Sequence, residues 1–211
     1  MKNKYLFIGL LAVLFIAGFT VRNYVSPEKT THERITPTPD TQNAKRIIET
    51  FTNGSVTDVT FVSEYDDPVF DGVVAEYKDT EGVGYSIDKA TNHVVTYNTI
   101  GGTGKIGSNT ESKDPTEIEK IGLAFAKKNI IEFEQFAKDA KYVFTQETAP
   151  KMNGQYVLSW TGRKPGTTNE TKYNFNGKQV TPPPYHSVII LDIYGNITGF
   201  QNEYITEALG R

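Results

Sequence analysis

Two stretches of the sequence decide the fold that we expect: YSIDKATNHVVTYN at residues 85–98 and ILDIYGNITGFQN at residues 190–202. Each stretch consists of a strand, an Asp, a tight turn that contains Asn, and a second strand with an aromatic residue and an Asn near its end. The two hairpins are about 104 residues apart, and such internal repetition indicates a duplicated module.

The residues before the first hairpin predict a helix followed by further strands. Apolar side chains at i, i+3, i+4 and i+7 between Ala44 and Phe51 form one helical face, which begins after Asp40 and ends at Asn53-Gly54. Four runs are rich in Val, Ile, Tyr, Phe or Thr and predict strands at Val56–Ser63, Val69–Lys78, Val83–Asp88 and Val94–Ile100.

The second half of the chain repeats this order. Asp114 and Glu117 form a capping pair, and the apolar stripe from Ile118 to Phe125, extended toward Phe136, predicts a helix. Strands are expected at Lys141–Thr148, Gln155–Thr161, His186–Tyr194 and Ile197–Tyr204. We therefore predict an α+β fold with two modules, residues 40–100 and 114–211, each a helix packed on a small antiparallel sheet. Residues 101–113 form the predicted hinge between them.

The N-terminus predicts a membrane anchor. Tyr5–Val21 is an uncharged, mostly apolar run that would form a helix of about 26 Å, close to the thickness of the hydrocarbon core. No good small-x-small cleavage site follows it, so we expect an uncleaved single-pass anchor over residues 1–22, with secretion after signal cleavage as the alternative. Lys2 and Lys4 favour a cytoplasmic N-terminus, which places the body outside the cytoplasm beyond a polar linker at residues 23–39.

The first module resembles a PepSY domain. The resemblance rests on Ala44-x-x-Ile47, Val56-x-x-Val59, Val73-Val74-Ala75-Glu76-Tyr77 and the hairpin from Tyr85 to Val95. Residues 114–204 are similar to the related YcdB/YcdC repeat, as found in membrane-anchored bacterial proteins related to YpeB. This resemblance implies a non-catalytic role outside the cytoplasm, in which the modules bind or restrain a peptidase or cell-wall hydrolase in trans. It supplies no catalytic residues.

Composition and charge exclude several functions. The chain has no cysteine, which removes disulfides, thiol nucleophiles and zinc–thiolate sites. Its net charge of -3 argues against a nucleic-acid partner, because phosphate binding needs a basic face. Residues 40–100 hold 11 acidic and 4 basic side chains. Asp66, Asp67 and Asp71 flank a turn in this region, and they are interpreted as a solvated face, a docking face for a basic partner, or a weak cation site.

Motifs that resemble catalytic or cofactor sites lack the context that each requires. Gly102-x-Gly104-x-x-Gly107 matches the dinucleotide fingerprint, but residues 108–113 separate it from the next helix. His32-Glu33-Arg34-Ile35-Thr36 lacks the second His of a zinc helix. We therefore predict no catalytic residue, no cofactor and no metal site, with a carboxylate-based wall-polymer hydrolase as the remaining enzymatic alternative.

The loop from Gly162 to Pro184 is the predicted partner-contact arm. It is basic, and its aromatic residues Tyr173 and Phe175 predict a short hairpin around Asn176-Gly177. The predicted contact residues on this arm are Arg163, Lys164, Lys172, Tyr173, Phe175 and Lys178. We conclude that the sequence predicts an extracytoplasmic binding or regulatory module, with a structural or assembly protein of the cell envelope as the alternative.

Overall fold

The computed structural model describes residues 40–54, 56, 58–67, 72–99, 104–147, 154–162, 173–175, 178–180 and 185–203. The predicted anchor and linker, residues 1–39, lie outside these residues. Within the described part of the chain, no helix combines the length and apolar character needed to cross a membrane.

Within the described residues, three helices form where the local sequence favours them: α1 at Thr41–Thr52, α2 at Pro115–Asn129 and α3 at Phe133–Asp139. The side chain of Asp40 caps α1 by accepting a hydrogen bond from the Asn43 N–H at 2.9 Å. Asp114 caps α2 in the same way, at 3.0 Å from the Glu117 N–H. Both predicted caps are confirmed, and each satisfies an N–H group that the helix itself leaves free.

Ten strands account for most of the remaining described chain. They are β1 (Val59–Asp67), β2 (Gly72–Asp79), β3 (Gly84–Asp88), β4 (His93–Asn98), β5 (Lys141–Glu147), β6 (Gln155–Gly162), β7 (Tyr173–Phe175), β8 (Lys178–Val180), β9 (Tyr185–Leu191) and β10 (Ile197–Asn202). Eight of them form one antiparallel sheet in the order β1-β2-β3-β4-β10-β9-β6-β5. β7 and β8 pair separately as a two-stranded sheet, which confirms the predicted hairpin.

The prediction of two modules, each a helix on its own small sheet, is wrong. Gly199, Phe200 and Gln201 of β10 pair with Asn98, Tyr97 and Thr96 of β4, and this pairing joins the strands of the two halves into one sheet. One apolar core runs beneath all three helices, from Ile48 of α1 to Phe136 of α3. The two halves meet through backbone hydrogen bonds and share their buried side chains.

A single row of apolar residues crosses this sheet from edge to edge. Each strand contributes one member, and each is paired with the next across the ladder. In spatial order the row is Phe61, Tyr77, Tyr85, Tyr97, Phe200, Ile189, Leu158 and Phe144. Six of the eight are buried, and the two edge residues pack against the same core. The row defines the sheet face that the helices cover.

Three phenylalanines join the two halves at the centre of this face. Phe51 of α1 lies 5.3 Å from Phe125 of α2 and 5.2 Å from Phe200 of β10, measured between ring centroids. Phe125 and Phe200 lie 5.7 Å apart. These tilted and edge-on contacts are favourable geometries for aromatic rings, and they connect helices from both halves to one strand.

The opposite face of the sheet carries smaller side chains. In the second half these include the half-buried Val143, Val157, Val188 and Ile190. In the first half this face carries polar residues such as Ser86 and Thr96, which pair with one another, and a smaller second cluster in which the fully buried Val74 and Val95 pack with Tyr65 and Ile131. The larger core lies on the other face, beneath the helices.

Residues 104–113, most of the predicted hinge, are held against the second half of the sheet. Ile106 forms an antiparallel bridge with Ile197, with N–H to carbonyl distances of 3.0 and 2.9 Å. The buried amide of Asn196 accepts from the Asn109 N–H at 2.9 Å and donates to the Asn109 carbonyl at 3.0 Å. These bonds satisfy backbone groups that lie outside the regular strands.

The edge strand β1 is irregular. Its pairing with β2 shifts register between Phe61 and Ser63, so Val62 has no opposite partner. Val62 is 47% exposed, and among the described residues it is the one large hydrophobic side chain that is classed as exposed. A bulge of this kind bends and twists the strand locally.

Gly122 allows α2 to approach the sheet closely. A Cβ atom at this position would lie 2.5 Å from Leu158 Cδ2, which is closer than real contacts permit. Alanine improves helix propensity by about 1 kcal/mol, but overpacking a filled core costs about 1–3 kcal/mol. We therefore expect Gly122→Ala to lower the melting temperature. Gly84→Ala is the control, since its Cβ would meet an ordinary contact at 3.9 Å, and equal effects of the two changes would contradict the prediction.

The shared core predicts a single unfolding transition. Phe51→Ala should cost about 3–5 kcal/mol, because it removes a large buried ring from the centre of the core. The chain has one tryptophan, Trp160, which lies in the second half, so its fluorescence reports on residues far from α1 in sequence. We expect Phe51→Ala to shift the Trp160 transition and the far-ultraviolet circular dichroism transition equally.

The milder Phe51→Leu should shift both signals in parallel by a smaller amount. If the midpoint of the Trp160 fluorescence transition stayed unchanged in either variant, the second half would have a core of its own.

Candidate functional site

A cleft of about 350 Å³ opens at one end of the sheet, where four parts of the chain meet. Its described walls are the end of α1 (Thr52–Gly54 and Val56), the turn between β2 and β3 (Asp79–Glu81), and the segment Gly104–Ser108. Tyr85 and Tyr97 also line it. A concave site with a few convergent polar groups on an apolar body is the usual form of a binding site.

The turn that forms one wall is held by the side chain of Asp79. Asp79 Oδ1 accepts hydrogen bonds from the N–H groups of Glu81 and Val83, both at 2.9 Å. Gly82 has φ +80°, a conformation that glycine adopts without strain, and it donates to the Asp79 carbonyl at 3.1 Å. The sequence Asp-x-x-Gly therefore fixes the direction of the carboxylate.

Tyr85 and Tyr97 are neighbours on β3 and β4, with ring centroids 5.5 Å apart. The Tyr85 hydroxyl donates to Asp79 Oδ2 at 3.1 Å. The Tyr97 hydroxyl lies 3.4 Å from the Ile197 carbonyl and 3.5 Å from the Gly104 carbonyl. Both phenols therefore act as hydrogen-bond donors, Tyr85 to the Asp79 carboxylate and Tyr97 to backbone carbonyls.

Burial raises the pKa of Tyr85 well above its usual range, and the neighbouring charge of Asp79 raises it further. Burial also raises the pKa of Tyr97, against a smaller opposing effect of a backbone hydrogen bond at Ile106. Removing a phenol from water disfavours its charged form. Both side chains are thus neutral near pH 7 and unsuited to act as bases there.

The cleft has a negative electrostatic character. Asp79 and the exposed Glu81 contribute carboxylates, and the C-terminal end of α1 contributes the negative pole of a helix dipole. Lys105 is the one basic residue on the described walls, but its ammonium lies 3.5 Å from Asp192 Oδ2 and 5.5 Å from the centroid of the Tyr194 ring. Its charge is therefore directed to the turn between β9 and β10.

None of the predicted contact residues that the structure describes lines this cleft. Arg163, Lys164, Lys172 and Asp71 lie outside the described residues. Tyr173, Phe175 and Lys178 belong to the separate β7–β8 hairpin, where Phe175 pairs with Lys178. Asp66 is exposed at the end of β1, but Asp67 is only 2% exposed and cannot contribute to an exposed docking face.

Other aromatic and titratable side chains have structural roles. Trp160 is buried against Phe133 and Tyr142, with ring centroids 5.4 and 5.1 Å away, so it packs in the core. His186 Nδ1 lies 3.2 Å from Thr161 Oγ1, and burial lowers the pKa of this imidazole. Among the described residues, no three His, Asp or Glu side chains converge closely enough to hold a metal ion.

Sequence reasoning missed the cleft because its walls come from four separate parts of the chain. Gly104 and Gly107, two glycines of the rejected dinucleotide fingerprint, do line it, but at a segment that bridges to β10. The signal that could have located the site is Asp-x-x-Gly, which occurs at residues 79–82 and again at residues 192–195.

Comparison of the chain with protein-family models, curated proteins and solved structures found no match. The function is therefore inferred from the properties of the cleft.

The raised pKa values predict a loss of stability at alkaline pH. The folded state holds the Tyr85 proton more tightly than the unfolded chain does, where the phenol has a pKa of 10.0. The contribution of this proton to the free energy of unfolding is therefore complete below about pH 10, and it declines as the pH rises toward the folded pKa. Tyr85→Phe should therefore flatten the decline in unfolding free energy above about pH 10. Urea unfolding at a series of pH values measures this slope, and parallel curves for wild type and variant would contradict the assignment.

Proposed function

We propose that this chain is a non-catalytic binding module whose cleft receives a basic side chain of a protein partner. The observation that supports this proposal best is the convergence of Asp79, Glu81 and the C-terminal end of α1 on one concave site beside two neutral tyrosines. A negative, partly desolvated cleft attracts cations more strongly than a flat acidic surface does.

The binding role is favoured because the polar groups of the cleft are already engaged as structural acceptors and donors. Asp79 Oδ1 holds two backbone N–H groups, and Asp79 Oδ2 accepts from Tyr85. A general base needs a free proton-accepting site of suitable pKa near the reacting atom. An engaged carboxylate with neutral phenols is better suited to recognition than to proton transfer.

The setting of this module is also proposed. The apolar run Tyr5–Val21 supports a membrane anchor with the body outside the cytoplasm, where the partner would be found. The resemblance to PepSY modules favours a peptidase or cell-wall hydrolase as that partner, restrained or modulated in trans.

A second function, assembly of the cell envelope, is favoured by one observation. Val143, Val157, Val188 and Ile190 lie half-buried on the sheet face opposite the helices, and such β-branched surfaces suit a fixed protein contact.

The cleft predicts a salt-dependent affinity for basic peptides. The full chain, kept in detergent micelles, would be titrated with blocked glycine-serine peptides that carry one central Lys, Arg or norleucine, and amide shifts would be followed by NMR. We expect the basic peptides to shift the signals of Glu81 and Gly82, and to bind more weakly as salt is raised. Asp79→Asn with Glu81→Gln should weaken that binding about fivefold to tenfold.

The matched control is Glu117→Gln with Glu134→Gln, which removes two exposed charges from helices α2 and α3. Affinity that responds equally to both double changes would indicate attraction to overall charge and would argue against the cleft.

A further inference from the structure

The chain contains two copies of one turn. Asp192 Oδ1 accepts from the N–H groups of Tyr194 at 2.9 Å and Asn196 at 2.8 Å, as Asp79 Oδ1 accepts from the second and fourth residues after it. Gly195, like Gly82, has φ +80° and donates to the carbonyl of the turn's Asp, here at 3.0 Å.

Both turns lie at the same end of the sheet. One turn leads into β3 and the other into β10, and these two strands run parallel because each pairs antiparallel with β4. The sequence matched Asp192 with Asp88, but the Asp88 turn has a different geometry, in which Oδ2 accepts from the Thr91 N–H. The structural equivalent of Asp192 is therefore Asp79.

The second turn already binds an ammonium group. Asp192 Oδ2 accepts from Asn196 Nδ2 at 2.8 Å and faces Lys105 Nζ at 3.5 Å. The same ammonium lies 5.5 Å from the ring centroid of Tyr194, within range of a cation–π contact. Lys105 reaches this position from an extended segment whose next residue, Ile106, pairs with Ile197.

The first turn presents the same carboxylate to the cleft. Asp79 Oδ2 accepts from the Tyr85 hydroxyl at 3.1 Å, which takes the role that Asn196 Nδ2 has in the second turn. Glu81 stands at the position of Tyr194, two residues after the Asp, and its exposed carboxylate provides a second attraction for a cation. Among the described residues, no ammonium lies within 4.0 Å of Asp79 Oδ2.

We infer that the cleft selects the ammonium group of a lysine, presented by an extended segment as Lys105 is presented to the second turn. This inference rests on the proposed function and specifies its ligand. Arginine binds best when both oxygens of a carboxylate accept its two parallel N–H groups. Asp79 Oδ1 accepts from two backbone N–H groups and Oδ2 already accepts from the Tyr85 hydroxyl. Asp79 can therefore offer a cation only one further site on Oδ2, as Asp192 does to Lys105, and a single site suits the point charge of lysine.

The test uses a peptide that copies residues 102–108, GTGKIGS, with blocked ends. Matched peptides replace its lysine by arginine, acetyl-lysine or norleucine. Each is titrated into the full chain in detergent micelles, with amide shifts followed by NMR. We expect the lysine peptide to bind at least about threefold more tightly than the arginine peptide, and the two neutral peptides to cause no saturable shift at Glu81–Val83.

Two variants locate the interaction. Asp79→Asn keeps an oxygen for the turn and removes the charge, whereas Glu81→Gln changes only an exposed side chain, so at least one of them should retain the fold. Both should reduce the preference for the lysine peptide, and Glu117→Gln should leave it unchanged.

The outcomes separate the two levels of the proposal. Arginine binding equal to or tighter than lysine binding would overturn lysine selection while leaving a basic ligand for the cleft. Absence of binding by either basic peptide, or binding that ignores both cleft variants, would overturn the proposed function as well.

Discussion

The row of eight apolar side chains that crosses the sheet is the constraint on which the rest of the structure depends. It includes one residue from every strand of the eight-stranded sheet, from Phe61 at one edge to Phe144 at the other. Strand register is fixed when one face is buried, because a slip of one residue would turn each member of the row to the opposite face. The pairing of Tyr97 with Phe200 is the central link, since it joins the two halves of the chain. The cleft depends on the same link because it places the Gly104–Ser108 segment beside the turn of Asp79.

The local structure could be predicted from sequence, and the long-range pairing could not. The caps at Asp40 and Asp114 are encoded within four residues, and the β-rich runs lie close to the observed strands. A period of two identifies the buried face of a strand but not its neighbour, so the sequence could not show that β4 pairs with β10. The apolar stripe toward Phe136 predicted one continuous helix, but the structure has two helices separated near Glu132. Glu132 adopts φ +51°, and no glycine at this position signals the break.

The candidate site illustrates the same limit. The sequence indicated an acidic first half, and it left residues 79–82 between two expected strands, where one wall of the cleft lies. It could not predict that the end of α1, Tyr97 and Gly104 lie around one cleft, because their proximity follows from the pairing that joins the two halves of the sheet. The resemblance of the two Asp-x-x-Gly turns was also hidden, since the stronger sequence match aligned Asp192 with Asp88. The hydrogen bonds of the turns identify Asp79 as the equivalent of Asp192, in agreement with their shared Asp-x-x-Gly spacing.

The bulge at Val62 has a consequence for the behaviour of the protein in concentrated solution. A regular nine-residue outer strand would offer a straight ladder of hydrogen-bonding groups to any passing chain, and it would favour growth of the sheet from one molecule to the next. The extra residue interrupts that ladder near its middle and twists it away from a flat template. The irregularity therefore opposes open-ended polymerisation, and its cost is a single valine side chain left half in water.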